Sequence, residues 1–239
     1  MKAYMKGYES KFNFFYRLLT EYTENSLEIL EIGAHFGEDT QRFLDIFDKK
    51  IEKIYCFEPD PRSIEIFKKH VNDDRAILYQ LALSDKECEL PFYQSYNPNE
   101  TTVPKKYEWI KPEDYVDLKL AGTGASSLKK GYHLASKDPI YVKSVRYDDW
   151  AEKNKIDSID LAWIDVQGAE KDVIEGMGRR INDISFVWIE YGEMFYEGSM
   201  NRGETVKLMS TKNFIEMPGA SSKQKQGDIL FVNKKLVMT

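Results

Sequence analysis

The chain has 239 residues, enough for one large α/β domain or for a domain with an insertion. Its 34 basic and 40 acidic residues give a net charge of −6, and no basic block interleaves with aromatic residues, which argues against a nucleic-acid partner. No apolar segment approaches the length of a membrane span, and the amino terminus lacks the apolar core of a signal peptide. We therefore expect a cytoplasmic protein without a membrane span.

The two cysteines, Cys56 and Cys88, both lie in segments that are typical of strands. We expect buried free thiols rather than a disulfide, which suits a reducing cytosol. Neither cysteine has a cysteine or histidine neighbour at zinc-ligand spacing, and the three histidines are scattered. No metal site is predicted.

Residues 8–24 place apolar and aromatic side chains at steps of three and four, which predicts an amphipathic helix. We expect an N-terminal helical cap in residues 1–26 that covers one end of a sheet, followed by one domain in residues 27–239. A membrane-surface or partner helix is the alternative, but the polar face is mixed in charge rather than basic.

Residues 27–32 form a short run rich in Ile and Leu, typical of a buried parallel strand. Gly33 ends the run, Gly37 follows in the next turn, and apolar residues then return at helical spacing. This strand–turn–helix unit cradles nucleotides in doubly wound α/β proteins, with backbone N–H groups aimed at the ligand. Any tight strand-to-helix connection also uses glycine, so a purely structural turn is the alternative.

A second strand, residues 53–57, ends at Glu58, and Pro59 and Pro61 force an extended exit from it. In doubly wound proteins an acid at this strand end receives the two ribose hydroxyls. The alternative is a carboxylate that caps the following helix, but Asp60 is better placed for capping. We therefore expect Glu58 to bind ribose.

Residues 76–83 are predicted to form a third strand that closes at Ser84, with residues 88–93 as its hairpin partner. The pattern then dissolves into Pro, Gly, Asn, Lys and aromatic residues. Loops of this length inside a compact domain are usually functional or mobile, and we expect residues 96–139 to form an inserted acceptor-binding loop. Its aromatic side chains would suit a polyol or an acceptor of mixed polarity. Local packing of the same side chains is the alternative.

Residues 141–147 alternate as a strand, and residues 161–164 are predicted to form a buried strand that meets the crevice at Asp165. Residues 184–190 repeat this plan and finish in Glu190. Two further strands joined by a short loop close the chain, which predicts an antiparallel partner at the end of a βα series. The predicted fold class is α/β with a mostly parallel sheet.

Acids at three strand ends, Glu58, Asp165 and Glu190, together with the glycine turn, predict one ligand site. The turn lacks the three glycines of the dinucleotide fingerprint, and His35 stands in the place of the second. S-adenosylmethionine fits better, because it has a ribose without a pyrophosphate and its positive charges suit an acid-lined site. A nicotinamide-dependent oxidoreductase and a noncatalytic binding module on the same fold are the alternatives.

Six stretches carry a family resemblance: residues 31–37 (EIGAHFG), 57–61 (FEPDP), 82–85 (ALSD), 126–128 (SSL), 145–150 (VRYDDW) and 159–170 (IDLAWIDVQGAE). In their order and spacing the chain resembles the FkbM family of S-adenosylmethionine-dependent methyltransferases. The last stretch is the most specific of the six, whereas the glycine turn alone would fit many families.

The resemblance implies a Rossmann-like class I methyltransferase with a mostly parallel seven-stranded sheet, an antiparallel last strand and helices on both faces. It also implies S-adenosylmethionine as the cofactor and a small-molecule or glycan acceptor, methylated on a hydroxyl of a sugar or secondary metabolite. Carried over by position, the cofactor site consists of Glu31, Gly33, Ala34, His35, Gly37, Glu58, Pro59, Ala82, Leu83, Ser84, Asp165 and Gln167. The expected substrate-binding residues are Ser126, Ser127, Tyr132 and Glu190.

Because an alcohol must lose a proton during methylation, the catalytic candidates are Asp165, His133 and His35. Asp165 resembles the carboxylate beside the transferred methyl group. In its late motif the family commonly has Lys and Glu where this chain has Trp163 and Gln167. This departure puts a proton relay built on that pair in doubt, but not the cofactor site.

Overall fold

The computed structural model of the protein describes residues 2–131, 138–193, 195–217 and 225–237, with side chains from residue 12 onward. These residues form seven α-helices: α1 (Lys2–Tyr22), α2 (Glu38–Phe47), α3 (Pro61–His70), α4 (Pro112–Asp117), α5 (Tyr147–Asn154), α6 (Glu170–Gly176) and α7 (Arg202–Thr211). They also form ten strands: β1 (Leu27–Ile32), β2 (Ile51–Phe57), β3 (Ala76–Tyr79), β4 (Ala82–Leu83), β5 (Cys88–Phe92), β6 (Ile140–Val145), β7 (Ile159–Ile164), β8 (Ile184–Gly192), β9 (Phe214–Glu216) and β10 (Gln226–Asn233).

Seven strands form one sheet in the order β3-β2-β1-β7-β8-β10-β9. Neighbours from β3 to β8 pair in parallel, whereas β10 pairs antiparallel with both β8 and β9. The strand order reverses at β1, which has β2 on one side and β7 on the other. Such a switch point opens a crevice at the carboxyl ends of the strands. The predicted mostly parallel sheet with an antiparallel last strand is confirmed.

Side chains of β1 alternate between two apolar layers. Leu27 and Ile29 pack in one layer with residues of α1, α2 and α3, while Leu30 and Ile32 pack in the other with residues of α5, α6 and α7. Helices therefore lie on both faces of the sheet, as predicted. Removal of these apolar surfaces from water is the main favourable term that holds the layers together.

Helix α1 packs on the sheet through Phe12 and Phe15, both of which are buried. Phe15 meets the edges of Trp163 on β7 and Trp188 on β8, with ring centroids 5.5 and 5.0 Å apart. Because these tryptophans stand on central strands, α1 lies over the middle of the sheet. The expectation that it covers one end of the sheet is wrong. Trp163 thus has a packing role. Within the described ranges, no helix combines the length and apolarity needed to cross a bilayer.

The predicted third strand is divided between two sheets. Residues 76–79 pair with β2 at the edge of the main sheet, whereas Ala82 and Leu83 pair with β6 in a separate three-stranded sheet of order β4-β6-β5. The predicted hairpin between residues 76–83 and 88–93 is therefore wrong, because β6 inserts between its two arms. This insertion lets Ala82, Phe92 and Val142 form a small apolar cluster of their own.

The two cysteines differ in environment. Cys56 on β2 is buried in the main core, as expected. Cys88 is exposed, and the expectation that it is buried is wrong. It opens β5, the outer strand of the small sheet, where burial is incomplete because nothing pairs with the far side of the strand in the described sheet.

The inserted segment is ordered by its own small core. Residues 95–131 contain α4 and two short 3₁₀ turns, 105–107 and 123–125. Tyr107, Tyr115 and Leu120 are buried there together with Phe36 and Ile66 from the main domain. Several aromatic side chains of the segment therefore pack locally, which was the alternative to an acceptor-binding role. This packing holds the segment beside the turn that follows β1.

Candidate active site

An open cleft lies at the carboxyl ends of β1, β2, β4 and β7, and the inserted segment closes one side of it. Its floor is the turn after β1, where Gly33 meets the backbone of Asp165. A Cβ atom on Gly33 would lie 1.8 Å from the Asp165 carbonyl oxygen, and φ of Gly33 is +89°, so glycine is required here. The ends of the two strands are thereby held in direct backbone contact.

The backbone N–H groups of this turn donate within the protein. Those of Gly33 and Ala34 bond to the Phe57 carbonyl oxygen at 2.9 and 3.1 Å, and that of His35 bonds to a Glu58 carboxylate oxygen at 2.9 Å. The next two donate to a neighbouring carboxylate and to a carbonyl of the same turn. The expectation that the turn aims N–H groups at a ligand is therefore wrong. Since a pyrophosphate needs such donors, the geometry disfavours a dinucleotide.

Four side chains form what we call the turn cluster: His35, Glu38, Glu58 and Thr123. Nδ1 of His35 lies 3.0 Å from Oε1 of Glu38, and Nε2 lies 2.9 Å from Oγ1 of Thr123. The Thr123 hydroxyl donates to the Leu120 carbonyl at 2.8 Å, so it accepts from the histidine ring. Both ring nitrogens therefore act as donors, which is the hydrogen-bonding pattern of an imidazolium.

The charges in the turn cluster agree with this pattern. Burial disfavours a charged His35, but the adjacent Glu38 carboxylate outweighs burial and raises the pKa of His35. Burial likewise acts against an ionised Glu38, yet the charge and hydrogen bond of His35 lower the pKa of Glu38 to about 2. With both ring nitrogens occupied, His35 has no free site for a proton, and the geometry argues against His35 as the catalytic base.

Glu58, at the end of β2, is 6% exposed and lines the cleft. One carboxylate oxygen accepts the His35 N–H, and the other accepts the Asp60 N–H at 2.7 Å. Burial raises the pKa of Glu58 to about 7. As predicted, Asp60 caps α3 by accepting the Arg62 N–H at 3.0 Å. Each Glu58 oxygen can accept more than one bond, so capacity remains for a ligand hydroxyl.

Glu31 lines the same cleft but is almost wholly buried within β1. It accepts the hydroxyl of Thr40 and lies against the thiol of Cys56. Burial raises the pKa of Glu31 well above its ordinary value. Burial thus disfavours the charged form of Glu31, and Thr40 and Cys56 hold its carboxyl group in the cleft floor.

Three side chains at the ends of β7 and β8 form a second group, the strand-end cluster: Asp165, Gln167 and Glu190. Nε2 of Gln167 donates to Asp165 at 2.6 Å and to Glu190 at 2.8 Å. The Tyr196 hydroxyl, 3.0 Å from Oε1 of Gln167, fixes the orientation of the amide. Burial, followed by the carboxylates of Asp165 and Glu170, raises the pKa of Glu190 to about 10. Glu190 therefore keeps a proton beside Asp165, which is exposed at the cleft.

Hydrogen bonds to a buried carboxylate hold the turn that carries Gln167. Glu170 is buried, and its carboxylate accepts the N–H groups of Val166 and Gly168 at 3.3 and 3.0 Å. A Cβ atom on Gly168 would lie 2.6 Å from Tyr196, and φ of Gly168 is +98°, so glycine lets the tyrosine close over the turn. The position of Gln167 is thus determined by contacts on both sides.

Part of the cleft lining is apolar. Phe57, Ala82, Leu83, Phe92 and Leu128 line it, and they come from both sheets and from the inserted segment. A flat aromatic ligand group would remain dry between such side chains. The cleft therefore combines an apolar wall with a polar, carboxylate-rich floor.

Most of the carried-over cofactor positions come together in this cleft: Glu31, Gly33, Ala34, His35, Glu58, Pro59, Ala82, Leu83, Asp165 and Gln167. Ser126, predicted to bind substrate, lines it as well. Glu190 lies behind this lining and reaches it through Gln167.

Besides Glu190, three other predicted site residues lie outside the cleft lining. Gly37 begins α2 with a φ of +81° and packs against α3 side chains, so its role is structural. Ser84 is buried with its carbonyl against Gly176 of α6. Ser127 is buried, accepts the Lys129 N–H and pairs with the strand end at Tyr93. Tyr132 and His133 fall outside the described residues.

Two cleft residues had no sequence signal. Lys106 and Thr123 line the cleft from the inserted segment, although no motif surrounds them. Tyr107 also lines it and was among the aromatic residues of that segment for which an acceptor role was expected. Glu38 could have been found, since it stands three residues after His35 at the start of a helix, where such side chains meet. Among the described residues, no group of three or more His, Cys, Asp or Glu side chains is placed to hold a metal ion.

S-adenosylmethionine fits the side chains that are present. The apolar wall suits an adenine ring, and Glu58, with spare acceptor capacity at a strand end, suits the ribose hydroxyls. The carboxylates of the floor suit positive charges on the amino and sulfonium groups. The saturated N–H groups of the glycine turn suit a ligand that has no phosphate.

Comparison with known proteins agrees. A family model described as the methyltransferase FkbM domain matches residues 31–216. The 2-O-methyltransferase NoeI of Sinorhizobium fredii (strain NBRC 101917 / NGR234) is 32% identical over 211 residues, or 87% of this chain and 80% of that protein. The crystal structure of methyltransferase FkbM from Methylobacillus flagellatus KT is similar over 87% of this chain, with a TM-score of 0.50 and 12% identity. This chain spans only 43% of that longer one, and the likeness concerns the fold.

The family match includes the turn after β1, the acid after β2 and the whole strand-end segment from β7 to β8. The structural likeness assigns the sheet to the class I methyltransferase fold. The chain therefore belongs to the FkbM methyltransferase family and is an enzyme that transfers methyl groups from S-adenosylmethionine.

Proposed function

We propose that this methyltransferase modifies a hydroxyl oxygen of a sugar, glycan or similar polyhydroxylated molecule, with Asp165 as the group that accepts the hydroxyl proton. The strand-end cluster carries the proposal. Asp165 is exposed at the cleft, and Gln167 ties it to the carboxyl group of Glu190. The name of its relative NoeI, a 2-O-methyltransferase, supports oxygen as the acceptor atom.

The cofactor roles follow from the parts of the cleft. Glu58 would accept the ribose hydroxyls, with Pro59 against the sugar, and Ala82 and Leu83 would flank the adenine. The turn at Gly33 would lie along the methionine chain. The support is that all five residues line one continuous cleft, with the apolar positions on one side and the carboxylate on its floor.

When bound, S-adenosylmethionine supplies a methyl group that its sulfonium activates for displacement by an oxygen atom. An alcohol is a weak nucleophile at neutral pH, and a positioned base accelerates such a step by about 10²–10⁴-fold. Asp165 follows a buried strand, and the amide of Gln167 fixes one carboxylate oxygen, Oδ1. We assign proton acceptance to the other oxygen, Oδ2.

The rim beside Asp165 suits an acceptor with several hydroxyl groups. Behind this rim Glu190 supplies a protonated carboxyl group that reaches the cleft through Gln167, and Gln226 donates to it at 3.0 Å. Tyr196 and Ser126 add hydroxyl groups on the side of the inserted segment. Mixed donors and acceptors of this kind bind sugar hydroxyls, which both donate and accept.

We assign residues 96–139 to the acceptor wall and residues 1–26 to a cap that supports the sheet. Ser126 supports the first assignment because it lines the cleft from the inserted segment. The Tyr196 hydroxyl, 3.1 Å from the Ala125 carbonyl, links this wall to the strand-end cluster. For the second assignment, the support is the burial of Phe12 and Phe15 against the sheet.

The test is a mass-spectrometric screen with S-adenosylmethionine and a panel of monosaccharides, oligosaccharides and noncarbohydrate alcohols. We expect at least one polyhydroxylated acceptor to gain one methyl group, which NMR then places on oxygen. Amine and thiol acceptors in the same panel serve as the comparison. Methylation confined to nitrogen, sulfur or carbon would contradict the proposal.

A further inference from the structure

The cleft is rich in acids but must also hold an anionic group, because S-adenosylmethionine carries a carboxylate at its methionine end. Five acidic side chains line the cleft: Glu31, Glu38, Asp39, Glu58 and Asp165. Within the part of the chain that the structure describes, only His35 and Lys106 of the lining residues can carry a positive charge. A carboxylate brought among these acids requires one of the two cations.

His35 is committed to other partners. Its two ring nitrogens bond to Glu38 and Thr123, and its backbone N–H bonds to Glu58. The charge of the imidazolium is therefore balanced by Glu38 inside the protein. No donor of His35 remains for a ligand.

Lys106 is held at the cleft by its neighbour. Its ammonium group lies 4.5 Å from the centroid of the Tyr107 ring, as in a cation–π contact. Tyr107 is itself fixed, because its hydroxyl donates to Glu38 at 3.0 Å and its ring meets the edge of Phe36 at 5.1 Å. The cation therefore stands directly beside the turn cluster.

The N–H groups of the turn after β1 offer no substitute. In many nucleotide-binding turns such donors hold anions, but here those of residues 33–37 are used internally. The carboxylate must therefore be neutralised by a side chain, and Lys106 is exposed and lines the cleft.

We propose that Lys106, from the inserted segment, is the counterion of the cofactor carboxylate, so that the segment completes the cofactor site as well as lining the acceptor side. The proposal concerns the cofactor alone and does not depend on which acceptor is methylated. It also assigns the segment a contribution to cofactor affinity that its sequence did not indicate.

The experiment compares two ligands that differ only in the carboxylate: S-adenosylhomocysteine and its decarboxylated analogue, S-adenosyl-3-thiopropylamine. Calorimetry gives both affinities for the wild-type chain and for Lys106→Met. We expect Lys106→Met to weaken the binding of S-adenosylhomocysteine about three- to tenfold, the range for a partly exposed charged contact. The decarboxylated analogue should bind both proteins equally.

Lys105→Met is the matched control, because Lys105 lies in the same 3₁₀ turn and its replacement removes the same positive charge, but Lys105 does not line the cleft. It should leave both affinities unchanged, and Lys106→Arg should retain affinity for S-adenosylhomocysteine. An equal loss for both ligands, an equal loss in Lys105→Met, or no loss in Lys106→Met would each overturn the proposal.

Discussion

Glu58, which is buried, and Glu190, which is half-buried, both follow or end strands at the carboxyl edge of the same sheet, yet their neighbours affect the charge of the two carboxyl groups differently. Burial raises the pKa of both residues, to about 7 for Glu58 and to about 10 for Glu190. The positive His35 ring and two backbone N–H donors limit the rise in the pKa of Glu58. Glu190 instead faces the carboxylates of Asp165 and Glu170, with neutral amides as donors.

The difference shows how one strand-end pattern can serve two purposes. An acid with positive and N–H partners ionises near neutral pH and becomes an acceptor for ligand hydroxyls. A glutamate that is buried beside other carboxylates, with only neutral amides as donors, keeps its proton to a higher pH. The turn cluster is therefore suited to holding the cofactor, and the strand-end cluster to moving a proton.

Asp165→Asn should break the strand-end cluster most severely. We expect turnover at saturating S-adenosylmethionine to fall about 10²-fold or more, the usual contribution of a general base, while cofactor affinity changes far less. Single-turnover kinetics and calorimetry measure the two effects. Asp157→Asn, an exposed change before β7, is the control. Near wild-type turnover would remove Asp165 from the mechanism.

Glu58→Gln should break the turn cluster. Loss of a charged acceptor for ribose should cost about 1.5–3 kcal/mol of cofactor binding above pH 7. Because the pKa of Glu58 is about 7, wild-type affinity should rise as pH increases through 7 and the carboxylate ionises, whereas the variant should stay flat. Calorimetry with S-adenosylhomocysteine from pH 6 to 8 checks this. Glu65→Gln, exposed on α3, is the control, and a pH-independent wild type would refute the assignment.

Glu190→Gln sharpens the comparison through stability. In the folded protein Glu190 has a pKa of about 10, far above that of an unfolded glutamate, so the native state binds the extra proton. Wild-type stability should therefore fall as pH rises toward 10, by up to about 1.4 kcal/mol per pH unit for one proton. The variant should show a shallower fall in urea unfolding at pH 7 and 9. Glu193→Gln, which is exposed, should follow the wild type.

Tyr196→Phe tests the outer contact of the strand-end cluster. Loss of the hydrogen bond from the Tyr196 hydroxyl to Gln167 should lower the free energy of unfolding by about 0.5–1.5 kcal/mol. Turnover should fall a few fold, because the amide that orients Asp165 becomes less constrained. Affinity for S-adenosylhomocysteine should not change. Steady-state kinetics measures turnover, and calorimetry measures the affinity for S-adenosylhomocysteine. Tyr141→Phe, a change at an exposed tyrosine, is the control. Equal loss in both measurements would indicate a general structural role.

Several features of the site were predictable because they depend on nearby residues. Strand, glycine turn and helix follow from local hydrophobic periodicity, and an acid directly after a buried strand must lie at the sheet edge. Glu58, Asp165 and the capping role of Asp60 were identified in this way. The positions of Gly33 and Gly168 likewise follow from the tight turns that need positive φ.

Other features depend on contacts between distant segments, which periodicity does not encode. Residues 76–83 read as one strand, but β6 draws Ala82 and Leu83 into a second sheet. Trp163 was noted as a departure in a motif, whereas the structure shows that it packs under α1. Register and pairing partners are decided by which apolar faces meet, and that is a property of the whole chain.

By itself, then, the sequence determined the fold class, the sheet-edge acids and the cofactor, since each follows from short patterns with a local physical cause. The tertiary structure decided the chemical state of those groups. The charge on His35 depends on Glu38 and on the distant Thr123, and the proton on Glu190 depends on burial beside Asp165. The place of Lys106 depends on the docking of Tyr107 against Glu38 and Phe36. A pKa depends on burial and on neighbours in space, and neither is written in the order of residues.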